Sequence, residues 1–350
     1  ILLGVLERAK GLIHGITCGA GLPYKLGEIT SKFGVYYYPI VSSARAFQIL
    51  WKRAYSNFKD FLGGVVYEDP WLAGGHNGLS NAENPNQPET PYMRLVALRK
   101  ALNEIGLQDT PIILAGGIWS LKDWEDYIDN PEIGKIAFQF GTRPMITKES
   151  PVSEAWKRIM LNVRKGDVIL QKFSPTGFFS SAIRNTFLEK LMARKDGEIE
   201  FSKEESDEFC YELKVSENKS LYIRLQDADK AKKQLDDGLT EIKETPDNTI
   251  VFMTKDDWKQ QQTDRANCVG CLSQCQFSSW SQANGTTGRI PDPRSYCIHR
   301  TLYEVGHGGS IKDHLLFAGH QVYRFATDPL YRNGCVPSVK ELIERIKNGE

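Results

Sequence analysis

Residues 110–150 read TPIILAGGIWSLKDWEDYIDNPEIGKIAFQFGTRPMITKES, and this stretch decides the fold. Pro111 to Leu114 is a short, continuous apolar run, the mark of a strand buried on both faces, and Ala115, Gly116 and Gly117 follow it at once. Ser120 with Asp123 three residues later has the form of a capping box at the head of a short helix. Ile136 to Phe140 is the next buried strand, closed by Gly141 and Thr142. Two successive parallel strands thus each end in a glycine turn. Glycine leaves main-chain N–H groups open to a phosphate that a Cβ would hold away. In a (β/α)8 barrel the phosphate site is built from the loops after the seventh and eighth strands, so these are expected to be the last two strands of such a barrel. Two ordinary strand-end turns are the competing reading, because GG and GT are short signals.

Upstream the same grammar repeats. Gly15 to Cys18 reads as a strand stopped by Gly19 to Pro23, Tyr37 to Val41 as a second ending at Ser42 and Ser43, and Gly64 to Glu68 as a third. Phe47, Leu50, Trp51, Ala54 and Phe58 fall on one helical face between the second and third strands. A helix over 92–105 turns Leu95, Leu98, Leu102 and Ile105 inward and ends at Gly106. Short buried strands alternating with amphipathic helices make the βα pattern of a parallel sheet. Only five such strands precede residue 145, and the opening ILLGVLERAKGL lacks an initiator Met and reads as the body of an amphipathic helix. The expected class is therefore α/β, a (β/α)8 TIM barrel whose first strands are missing here. A doubly wound open sheet is the alternative, but its GxGxxG fingerprint is absent.

Composition bounds the function. The 350 residues are 41% hydrophobic and 25% charged, with 44 basic against 44 acidic side chains, a globular balance with no net charge to attract nucleic acid or a membrane surface. No apolar run approaches the roughly 18 residues of a membrane span. Seven cysteines without a signal peptide point to a reducing, cytoplasmic setting in which clustered thiols mean metal or redox chemistry, and the sequons at Asn218 and Asn284 then carry no weight. The chain is expected to divide into the barrel part at 1–165, a small α+β module at 166–260 and a cysteine-containing, helical extension at 261–350. In the module, Tyr211 to Val215, Leu221 to Leu225 and Thr249 to Met253 read as strands around a helix starting near Asp227, and its mixed-sign charge run as a solvated face. Ser338 and Glu341 form a capping box for a last helix with Val339, Leu342, Ile343 and Ile346 on its apolar face.

Three sets of residues carry chemistry. His76 lies in the turn-rich stretch 69–91, flanked by Gly74, Gly75 and Gly78, and an imidazole titrates near neutrality, so it can take a proton from carbon or hold an anion; a loop histidine bonded to a carbonyl is the plainer alternative. Cys18 and Ser42 stand at strand ends facing the same barrel mouth, although a small buried thiol accounts for the first and the N-cap role of Ser43 competes in the second pair. Cys268, Cys271 and Cys275, with Cys297 further on, could place four thiolates around an iron–sulfur cluster or zinc, against the alternative of unligated buried cysteines. His299, His307, His314, His320 and Cys335 show no convincing ligand spacing.

The segments GITCGAGLP, PIVSS, WLAGGHNG, PIILAGGI and FQFGTRPMITKES, with FSPTGFFSSAIRN after them, resemble in order and spacing the later strands of the FMN-dependent nitronate monooxygenase (2-nitropropane dioxygenase) family. The resemblance covers roughly residues 1–190. It implies a (β/α)8 barrel with FMN as cofactor, and places His76 at the family's catalytic histidine. It implies too that Gly116, Gly117, Gln139, Gly141 and Thr142 hold the FMN phosphate and ribityl end, with Arg143 adding a charge-assisted bond or forming a surface ion pair. The reaction it implies is oxidation of a nitronate by O2 to a carbonyl compound and nitrite. The cysteine motif is a departure from the family pattern. A NAD(P)H-dependent flavin reductase of the enoyl- or quinone-reductase kind, and a non-catalytic binding protein, are the alternatives.

Overall fold

The computed structural model describes residues 2–19, 21–80, 82–272, 275–278 and 290–349; Ala20 of the first turn and the Asn284 sequon lie outside them. By contacts the chain forms two compact units interleaved in sequence: Ile1–Gln171, Phe179–Ile183 and Phe317–Glu350 make the first, Lys172–Phe178 and Arg184–Leu316 the second.

In the first unit the order is α1 (Leu2–Arg8), β1 (Gly15–Cys18), α2 (Leu26–Ser31), β2 (Tyr36–Val41), α3 (Ala44–Arg53), β3 (Val65–Glu68), β4 (Gly75–His76), α4 (Pro91–Glu104), β5 (Ile112–Ala115), β6 (Ile136–Gln139), α5 (Glu154–Met160) and a hairpin of β7 (Val168–Gln171) and β8 (Ser180–Ile183). Five strands form one parallel sheet in the order β1-β2-β3-β5-β6. The order follows the chain without reversal, as in a barrel wall; a doubly wound sheet reverses at a switch point. Register pairs Glu68 with Ala115 and Ala115 with Gln139, so three strands finish level at one edge. Behind the sheet, Tyr37, Val65, Tyr67, Ile112 and Leu114 pack with Phe47 and Leu50 of α3 and Leu95, Leu98 and Leu102 of α4 in one buried cluster. Each large side chain so buried stabilises by about 1.5–3 kcal/mol before chain entropy is counted.

Local differences from the expected elements have local causes. α3 stops at Arg53 because Ala54 leaves helical geometry (φ −146°), and Phe58 falls in a following 3-10 helix, Tyr55–Phe61. After the capping box of Ser120 and Asp123 the chain forms a 3-10 rather than an α-helix, Leu121–Tyr127. Trp124 (φ −127°) leaves helical geometry within the segment, and its ring is buried. α4 ends at Gly106 (φ +77°), where Leu107 N–H donates to the Leu102 carbonyl at 2.9 Å.

The second unit contains α6 (Thr186–Asp196), β9 (Ile199–Ser202), β10 (Tyr211–Ser216), β11 (Lys219–Ile223), α7 (Ala228–Asp236), β12 (Glu241–Glu244), β13 (Thr249–Met253), α8 (Lys255–Ala266) and α9 (Ile298–Gly306). Its strands make an antiparallel sheet, β10-β11-β9-β13-β12, over a core of Ile199, Leu213, Leu221, Ile223, Ile242, Ile250 and Phe252. The last helix, α10 (Val339–Lys347), returns to the first unit and carries the expected capping box. Of its apolar face only Leu342 is buried; Val339 and Ile343 are 37% and 45% exposed, so the helix touches the unit along a narrow line. No described helix is long and apolar enough to cross a membrane.

Candidate active site

A cavity of about 240 Å3 opens at the carboxyl ends of β3, β5 and β6, where a barrel binds its ligands. Glu68, Gly74, Gly116, Gly117, Gln139, Gly141, Thr142, Arg143, Phe317 and Gly319 are among its lining residues. Gly116 (φ +92°) and Gly117 (φ +75°) hold the left-handed turn after β5, which only glycine enters without strain. A Cβ on Gly117 would stand 2.9 Å from the Leu72 side chain, whereas the Cβ direction of Gly141 opens on free space. Thr142 Oγ1 accepts the Gly319 N–H at 2.9 Å, which orients the hydroxyl and leaves its proton for a ligand.

Arg143 supports this floor from beneath. Its side chain is 1% exposed, Nη2 bonds Asp328 Oδ2 at 3.0 Å and Nη1 donates to the Trp119 carbonyl. The surface ion pair considered from sequence is therefore a buried one, and Asp328 also accepts the Trp119 indole N–H at 3.0 Å. Through Trp119 the pair ties the turn after β6 to the turn after β5, with the Arg143 side chain at the cavity wall.

The histidine loop is built from Asp69, itself fully buried. Its carboxylate accepts N–H groups of Trp71 and Leu72 at 3.0 and 2.9 Å and the Tyr67 hydroxyl at 3.1 Å, turning the chain sharply after β3. At Gly74 an added Cβ would lie 2.4 Å from the Ala318 carbonyl carbon, so the loop abuts the returning segment Phe317–Gly319 backbone to backbone. β4 then pairs with β8, Gly75 opposite Ser181 and His76 opposite Ser180. The His76 ring lies 5.2 Å from that of Phe317, and burial pushes its pKa below the usual imidazole value. His76 is not itself a lining residue; Gly74 and Phe317, its neighbours in sequence and space, are.

Ser42 and Cys18 stand apart from the cavity. Ser42 Oγ donates to the Gly78 carbonyl at 2.7 Å, tying down the far end of the histidine loop, while Ser43 caps α3 by accepting Ala46 N–H. Cys18 is half-buried against the apolar core, and burial raises its thiol pKa, the opposite of what a nucleophile needs. Cys268, Cys271, Cys275 and Cys297 lie in the second unit, around a small cavity of their own, and none is in a disulfide.

Two contributors escape the sequence reading. Glu68 ends β3 inside the cavity, and its carboxyl is pushed up to about 7, first by burial and then by the charge of Asp69. The segment 317–321 closes one wall from far along the chain: His320 N–H donates to the Leu72 carbonyl at 3.1 Å and its Nε2 lies 3.3 Å from Ser181 Oγ. Nothing local in the sequence marks 317–321; for Glu68 its position at the end of a predicted strand is the usable signal.

These residues fit the phosphate and ribityl end of a flavin mononucleotide. Side-chain-free turns, an oriented hydroxyl and a guanidinium converge there, and the volume suits part of such a molecule rather than all of it. A comparison with curated proteins returns no match. Among solved structures, FabK from Thermotoga maritima is similar over 99% of this chain and 70% of its own at 15% identity (TM-score 0.51). The enoyl reductase domain of MlnA from Bacillus amyloliquefaciens is similar over 99% and 77% at 12% identity (TM-score 0.56), and nitroalkane oxidase from Streptomyces ansochromogenes over 54% and 49% at 19% identity (TM-score 0.42). The first two likenesses, with the parallel sheet, give a TIM-barrel-like α/β fold. The family model of nitronate monooxygenase matches residues 10–348, and the chain belongs to that family.

Proposed function

We propose that the protein oxidises alkyl nitronates with O2 to a carbonyl compound and nitrite, using FMN held at the cavity over β3, β5 and β6. Family membership gives the coarser class, a flavin-dependent oxidoreductase. The observation that carries the reading is the convergence of Gly116, Gly117, Gly141, Thr142 and Arg143 on one cavity at the strands' carboxyl ends. The flavin, when bound, supplies the two-electron chemistry. The chain's own part is positional and protonic. Backbone N–H groups of the two glycine turns and the Thr142 hydroxyl take the phosphate and ribityl oxygens, and Arg143 offsets their charge. His76, kept neutral by burial, accepts the carbon proton of a nitroalkane or donates its N–H to a nitronate oxygen. Phe317, packed on the imidazole, excludes water from one side.

The test is the absorption spectrum of the purified full chain before and after addition of FMN, followed by nitrite release and O2 uptake with a short-chain alkyl nitronate. Flavin bands with nitrite formed in step with O2 consumed support the reading. Anaerobic oxidation of NAD(P)H with an enoyl thioester, and no nitrite, would move the chemistry to a reductase. A protein that takes up no FMN would overturn both.

A further inference from the structure

In the second unit Cys268, Cys271 and Cys275 follow α8, and Cys297 is the N-cap residue of α9. All four line one cavity of about 10 Å3, with Val269, Leu272 and Phe277 around them. That volume holds about one atom the size of a water molecule, the scale of a single ion.

Main-chain N–H groups reach two of the four sulfurs. Gly270 (φ +64°) turns its N–H onto Cys268 Sγ at 3.4 Å, so the CVGC turn donates to its own first sulfur. At the start of α9 the N–H groups of His299 and Arg300 donate to Cys297, opposing the burial that raises its pKa. Burial raises Cys271 too, with the nearby sulfurs of Cys275, Cys297 and Cys268 adding to it. Arg265, whose hydrogen bonds go to the Phe277 carbonyl and the Gln261 amide, lies within electrostatic reach of Cys275, as Arg300 does of Cys297. Asp264 lines the same cavity and pairs with Arg300 at 2.9 Å, so Arg265 is the cation left to offset the charge that four thiolates carry beyond a divalent ion. Among the described residues no three ligating side chains are already drawn to one point, and Cys268 Sγ donates to Ser278 Oγ at 3.3 Å. Closing the set turns that thiol inward and gives up the serine.

We propose that Cys268, Cys271, Cys275 and Cys297 bind one zinc ion tetrahedrally and so tie the segment after α8 to the N-terminus of α9. CxxC is the usual zinc half-site, and four cysteines complete a closed, structural set with no position left for water. Each thiol gives its proton to solvent as the Zn–S bond forms, so affinity rises with pH.

Metal analysis of the full chain, purified without chelator, tests this. About one zinc per chain is expected, unchanged in Cys335→Ser and below about a fifth in Cys297→Ser. Loading the wild-type chain with cobalt reads the same property should Cys297→Ser fail to fold: strong sulfur-to-cobalt charge transfer with intense tetrahedral bands is expected. Iron with acid-labile sulfide, disulfides among the four, or four reactive thiols and no metal, with only weak cobalt bands, would each overturn the proposal.

Discussion

Two titrating side chains frame the site. Glu68 is protonated at low pH and costs energy to ionise in place, its carboxyl being held at about 7 against an ordinary value near 4.5. The folded state therefore binds more protons than the unfolded one between those values, and Glu68 adds a stability that is full below the lower value and lost as pH rises through about 7. Glu68→Gln should remove that loss: at pH 8 the variant is expected to be more stable than wild type by about 2 kcal/mol, and at pH 4 no more stable, measured by urea unfolding at both values. Ionised Glu68 also adds a negative charge to the cavity proposed to hold the FMN phosphate, so FMN should bind more weakly above neutrality in wild type and not in Glu68→Gln. As the proposed proton acceptor, His76 would set the acid limb of activity, below the ordinary imidazole value because burial disfavours its charged form. For His76→Gln a kcat loss of roughly a hundred- to ten-thousandfold is expected with flavin absorbance unchanged. If the variant keeps full nitrite release, the imidazole has no part in the chemistry.

Among elements, the two glycine turns do different work, and alanine separates them. At Gly117 a left-handed φ of +75° and a 2.9 Å approach to Leu72 mean that Ala strains the turn itself, at about 1–2 kcal/mol for the backbone alone. Gly141 has neither constraint, and its Cβ direction is open. Gly141→Ala should therefore melt with wild type and yet bind FMN at least about tenfold more weakly by fluorescence titration, since the methyl group would stand where the phosphate is proposed to approach. Gly117→Ala should lose stability and flavin together. Equal FMN affinity in Gly141→Ala and wild type would remove that turn from the cofactor site. Both turns are legible in the sequence because each follows a continuous apolar run, and both capping boxes are legible because Ser and an acid three residues apart act locally. The 3-10 geometry of Leu121–Tyr127 is not, since it depends on where Trp124 finds its burial. β9 and β12 are hidden for a related reason: IEFS and EIKE carry charges, and pairing with β11 and β13 for the first and with β13 for the second makes strands of them.

At the scale of the whole chain, legibility falls with sequence separation. The parallel sheet follows from apolar runs a few tens of residues apart, but the wall formed by 317–321 lies far from Gly74 in sequence and leaves no periodic trace. The same return of the chain makes the first unit discontinuous and the second an insertion with its own sheet. Their apolar clusters share no residue: Tyr37, Leu98 and Ile112 belong to one, Ile199, Leu221 and Phe252 to the other. Phe252 sits on β13, the strand that joins β9 to β12, and is 1% exposed. Removing its ring leaves a cavity in the core under a five-stranded sheet, a loss of about 3–5 kcal/mol when the site cannot collapse. Phe252→Ala should raise amide hydrogen exchange across β9, β11 and β13 by that amount in free energy while β3 and β5 keep their wild-type protection. Faster exchange in β3 and β5 to the same degree would mean that the two clusters unfold as one cooperative body, and that the histidine loop on β3 draws its stability from the sheet of the second unit as well as from its own.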